Sequence, residues 1–176
     1  MKNIFTIIAL TISFSMNAQT FWFQGTGQNA IQTYNTTASG TASTAMGNGT
    51  TASGTASTAM GNGTTANGVG STAMGGTTIA SGTYSTAMGG ATTASGTYST
   101  AMGGATTASG LGSTAMGRNT TASDYGSLVI GQYNSSGSAV TSNATSFDTA
   151  NTAFVIGNGV DSSNISDAFS ILFDGT

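Results

Sequence analysis

Ser85-Thr86-Ala87-Met88-Gly89, followed by Thr92-Thr93-Ala94-Ser95-Gly96, is the stretch on which the fold turns. The first pentapeptide recurs at Ser43 to Gly47, Ser57 to Gly61, Ser71 to Gly75, Ser99 to Gly103 and Ser113 to Gly117. At a seventh position it becomes Ser127-Leu128-Val129-Ile130-Gly131. The second pentapeptide starts seven residues after the first. It recurs at Thr50 to Gly54, Thr64 to Gly68, Thr78 to Gly82 and Thr106 to Gly110. Each unit is therefore 14 residues in two similar halves, and a fixed period of this kind means a stacked array.

A period of seven also suggests a coiled coil, but that requires an apolar a/d seam on good helix formers. Each heptad here carries a Gly and one or two Thr, both poor helix residues. Four extended residues and a three-residue turn fit better, two strands and two turns closing one coil of a solenoid. The chain is accordingly expected to be all-β, a parallel β-roll of about seven 14-residue coils. Strand alternation assigns the faces. Ser43, Ala45, Thr50 and Ala52 point into a narrow coil, Thr44 and Met46 point out on one side, and Thr51 and Ser53 point out on the other. Gly47 and Gly54 are expected to hold the turns, where positive φ favours glycine.

With methyl-sized residues inside, the larger apolar side chains lie outside. Met46, Met60, Met74, Met88, Met102 and Met116 repeat at 14-residue steps, and Ile130 takes the next register. Burying a Met is worth about 1.5–3 kcal/mol, so a continuous Met ladder on one outer face marks an interface. Turning the Met residues inward instead would expose Ala and bury Thr44. Symmetric closure brings identical ladders together, and periodicity alone leaves two chains or three open.

The Ser-x-Ala-Met-Gly unit paired with Thr-Ala-Ser-Gly at this spacing resembles the head of trimeric autotransporter adhesins, the YadA-like head repeat, over residues 36–134. The resemblance implies a left-handed parallel β-roll, three chains side by side, and the Met positions at the trimer axis. It implies a role in cell adhesion at the cell surface or outer membrane, toward a host-cell or extracellular-matrix ligand that the sequence does not identify. It also implies a stalk and a membrane anchor, expected to lie beyond this sequence. Residues 153–176 resemble the capping module after such heads in related surface and tail-fibre-like proteins, and are expected to be truncated.

The N-terminus reads as an address. Lys2 precedes an apolar run from Ile4 to Phe14 and then Ser15-Met16-Asn17-Ala18, which fits a secretory signal at residues 1–18. Residues 19–35, with Phe21-Trp22-Phe23, are expected to cap the first coil; an aromatic platform for carbohydrate is the other reading. Residues 135–152 are polar and break the register, as a loop would.

Composition narrows function. The 176 residues include no His and no Cys, with Lys plus Arg at 2 and charged residues at 4%. No Ser-His-Asp triad, thiol nucleophile or His/Cys zinc site is possible, and no basic surface exists for nucleic acid. An enzyme is not expected, nor a cofactor, metal or small-molecule substrate. Gly47-Asn48-Gly49-Thr50-Thr51-Ala52 fits a dinucleotide fingerprint, but no helix follows to hold the pyrophosphate. Asp161, Asp167 and Asp174 match no EF-hand spacing. One rival function is an ice- or crystal-binding solenoid. Thr51, Thr65, Thr93, Thr107 and Thr121 form an outward ladder beside Ser53, Ser81, Ser95, Ser109 and Ser123, although Asn67 and Ile79 interrupt it.

Overall fold

The structure, a computed structural model, describes residues 23–176. The expected signal segment at residues 1–18, and Phe21 and Trp22 of the expected cap, lie outside the described residues. The fold is an all-strand parallel β-solenoid. Long strands Thr44–Asn48, Thr58–Asn62, Thr72–Gly76, Thr86–Gly90, Thr100–Gly104, Thr114–Arg118 and Leu128–Gln132 stack in one sheet. Two-residue strands Thr37–Ala38, Thr51–Ala52, Thr65–Ala66, Ile79–Ala80, Thr93–Ala94, Thr107–Ala108 and Thr121–Ala122 stack in the other. The two halves of a unit are thus less alike than four-plus-three suggests, at five and two strand residues. Like pairs with like along the rod, Met74 with Met88 and Met88 with Met102.

The interior is as narrow as the sequence demands. Ala45, Ala52, Ala59 and Ala66 are fully buried, as are Ser43, Ser57 and Thr64, and the pattern repeats to Ala122. Only at Val129 and Val155 does the inward residue grow. The coils are joined by backbone hydrogen bonds, such as Thr93 N–H to Thr106 C=O at 2.8 Å and Ser95 N–H to Ala108 C=O at 2.9 Å. The hydroxyls of the inward Ser and Thr residues from Ser43 to Thr120 make no hydrogen bond. A buried hydroxyl without a partner costs about 1–3 kcal/mol, so these positions are filled for size and strand shape, not for polarity.

The glycine expectation holds at one corner and fails at the other. Gly47 has φ 122°, and a Cβ there would collide with the backbone of Gly61. Gly54 does not occupy the left-handed region; a Cβ on it would strike the carbonyl of Gly68. Its glycine is required by backbone contact between coils. The left-handed conformation falls two residues later, at Ala56, Gly70, Tyr84 and Tyr98, and at the opposite corner on Thr77, Ala91, Ala105, Asn119 and Tyr133.

The ends are finished differently from the middle. Phe23–Gln24 forms an antiparallel hairpin with Ile31–Gln32, which joins the long sheet beside Thr44–Ala45. At the other end Thr152–Asn158 adds in parallel to Leu128–Gln132, and Asp167–Leu172 closes the sheet antiparallel. Segment 135–151 is an insertion between two paired strands of the long sheet, Leu128–Gln132 and Thr152–Asn158. Capped sheet edges are what keep a long solenoid from extending onto its neighbours.

This packing sets the sign of three substitutions. Gly96→Ala is expected to cost at least about 1–3 kcal/mol, as overpacked sites do, whereas Ala91→Gly at φ 55° is expected to be neutral or stabilising because it relieves a left-handed alanine. Thr92→Val, which keeps the shape and removes an unpaired hydroxyl, is expected to gain about 1 kcal/mol. Urea melts of the three variants check both signs.

Candidate functional site

The long sheet's outer face carries the sequence-predicted residues in one line. Met46, Met60, Met74, Met88, Met102, Met116 and Ile130 pair directly, coil to coil. Every one is half-buried by its neighbours on the same face, and none enters the interior. Thr44, Thr58, Thr72, Thr86, Thr100 and Thr114 form a parallel row two residues earlier on each strand. The apolar line does not end at Ile130. Ile156 pairs with it, and Phe154 pairs with Leu128. The signal for this was present, since Phe154-Val155-Ile156-Gly157 repeats Leu128-Val129-Ile130-Gly131 across the insertion. Phe169 then packs against Phe154, ring centroids 5.9 Å apart.

The opposite face carries the hydroxyl rows. Thr93, Thr107 and Thr121 pair in succession, as do Thr51 and Thr65. Ile79, 41% exposed, stands between the two groups and breaks the array. The Ser row is also shorter than expected. Ser123 is only 6% exposed, because its N–H donates to Gly137 C=O at 2.9 Å and its hydroxyl to Ser138 C=O at 3.3 Å. An insertion that folds back over the rod has buried it. The flat ordered-water surface of the ice-binding reading is therefore interrupted at Asn67 and Ile79 and cut short at Ser123.

Two residues that sequence reasoning passed over build the C-terminal end. Asp124 takes the register of Gly54, Gly68, Gly82, Gly96 and Gly110, at the point where the short sheet ends and no further coil forbids a side chain. Fully buried, its carboxylate accepts from Thr141 N–H at 2.6 Å and Thr152 N–H at 2.8 Å. Asn134 replaces a missing strand: its Oδ1 accepts from Thr121 N–H at 2.8 Å, and its Nδ2 donates to Thr121 C=O at 2.9 Å. The signal was an Asp in a glycine register.

The remaining carboxylates are committed separately. Asp167 accepts from Ser135 N–H and Ser136 N–H. Ser163 N–H, then the Asn164 side chain, hold the Asp161 carboxyl below its ordinary value; the Thr176 hydroxyl leads the same effect at Asp174. Among the described residues no three acidic, His or Cys side chains gather as metal ligands would. Tyr84 and Tyr98 stack in parallel on a corner, centroids 5.6 Å apart, and both are exposed.

Asp124→Ala should leave the buried Thr152 N–H unpaired and free the part-buried Thr141 N–H, at a local cost of about 1–3 kcal/mol. The expected readout is new protease cleavage within 135–151 at a concentration that leaves the wild type intact.

Against known families, the chain matches the model described as YadA head domain repeat (2 copies) at residues 34–50, 38–64, 52–78, 80–106 and 108–134, more than half its length. No curated protein matches it.

Proposed function

Because the chain belongs to the YadA head family, we propose that this adhesin-type head works as a homotrimer on the outside of a cell, holding that cell to a host, a neighbour or extracellular matrix. The role is structural and binding, not catalytic. Export through the N-terminal signal and display at the cell surface or outer membrane complete the reading.

One observation carries the assembly: the unbroken line from Met46 to Ile156 on the outer face of the parallel strands of the long sheet. Parallel sheets are normally covered on both faces, and here one face meets only a thin Ala core. Covering the half-exposed Met residues is worth about 1 kcal/mol each. Summed along the ladder this is a large share of a small domain's stability. Three identical ladders meeting on a common axis cover all of them at once, with no free ladder left to propagate aggregation. The outer corners and the hydroxyl face then point away from the axis, repeated three times for multivalent attachment.

Replacing Met74, Met88 and Met102 by Ser is expected to dissociate or unfold the particle in light scattering. A stable monomer for both wild type and variant removes the ladder as an interface. Displayed on a non-adherent cell, the wild-type head is expected to promote attachment to host cells or matrix, and the triple variant to lose it.

A further inference from the structure

A recess of about 250 Å³ opens where the threonine row ends. It exists because the corner ladder changes size. Ala91 and Ala105 are followed one and two coils later by Asn119 and Tyr133, all in the left-handed conformation. The small Ala105 leaves a floor that the larger residues wall on one side, and Ser162 and Ile165, from the turn after Thr152–Asn158, close the other. Asn134 fixes the base through its two bonds to Thr121 and a third, Nδ2 to Ser136 C=O at 2.8 Å.

Four of the polar groups here are uncommitted, while Asn134 is held by Thr121 and Ser136 and the Ser138 hydroxyl donates to Ser135 C=O at 2.6 Å. The side chains of Asn119, Thr121, Tyr133 and Ser162 line the recess, and within the described residues none of their side-chain polar atoms makes a hydrogen bond. Each of these groups both donates and accepts. Ala105, Ile165 and the Tyr133 ring supply apolar surface. The Arg118 guanidinium lies over the same ring, 5.4 Å from its centroid. No carboxylate lines the recess, as a cation would require, and no cluster of cations is present for a phosphate. A purely apolar ligand would strand the hydroxyls and the amide.

We propose that this recess binds one neutral pyranose residue of a glycan. The vicinal hydroxyls of the sugar meet the two-way hydrogen-bonding groups, and its C–H face lies on Tyr133 and Ile165. The volume, below the usual range for drug-sized ligands, suits a single ring. The recess is lined by residues of one chain.

The test uses the full chain with methyl β-glucoside, methyl β-galactoside and methyl N-acetyl-β-glucosaminide at millimolar concentration, read by saturation-transfer NMR and titration. At least one is expected to bind wild type. Thr121→Tyr, which fills the recess, should weaken it at least about tenfold, as should Asn119→Ala, which places at 119 the residue already tolerated at Ala105. Thr93→Tyr, two coils away on the same row, should bind like wild type. Unchanged melting temperature in Asn119→Ala separates lost contact from lost fold. The proposal is overturned if none of the three glycosides binds, if Asn119→Ala binds normally, or if Thr93→Tyr weakens binding as much as Thr121→Tyr. Binding confined to the methyl glycoside of N-acetylneuraminic acid, lost in Arg118→Gln, would also overturn it in favour of an acidic sugar.

Discussion

Backbone meets backbone along the column Gly54, Gly68, Gly82, Gly96 and Gly110, with no room for a single added carbon between successive coils. That contact sets the width of the coil, and the width sets almost everything else. Inward positions accept Ala, Ser and Thr and nothing larger until Val129 and Val155. A core built this way buries little apolar surface per residue, so cohesion rests on the coil-to-coil hydrogen bonds and on whatever covers the outer faces. The large apolar side chains, denied the interior, are displaced onto the outer face of the long sheet.

The column ends at Asp124, and the end is where the molecule departs from repetition. With no coil stacked above it, the site admits a side chain, and the carboxylate fastens segment 135–151 back onto the rod. Asn134 completes the short sheet with an amide in place of a strand, while the long sheet continues through Ile156 and turns back as a hairpin. The same irregularity buries Ser123, forms the recess beside Tyr133 and extends the apolar ladder. Repetition makes the scaffold, and the places where it fails make distinct sites.

Much of this was legible in the sequence. The 14-residue register, the two faces and the outward Met line follow from strand alternation and from side-chain size, and Ala87 is buried while Met88 lies on the outer face as alternation requires. The glycine roles were only half legible. A glycine required by close approach and one required by φ look the same in a sequence; Gly54 is of the first kind, and the left-handed corners at Ala56 and Tyr98 carry residues with no such signature. The insertion hid more. Nothing local marks Ser123 for burial, because its cover comes from Gly137 and Ser138 across a break in register. Ile156 was readable as a repeat of Ile130, but the intervening polar segment disguised it as a separate module.

A coil too narrow for its own apolar residues leaves them on its outer face, and the proposed assembly covers them with another chain. Since the chain has no cysteine, a single substitution reports contact without background. Met88→Cys and Thr93→Cys place one thiol on each outer face of neighbouring strands. Under mild oxidation at micromolar protein, Met88→Cys is expected to form inter-chain disulfides rapidly and Thr93→Cys to remain unlinked. Cross-linking at position 93 with none at position 88 would contradict the account, as would two uncross-linked, monomeric proteins.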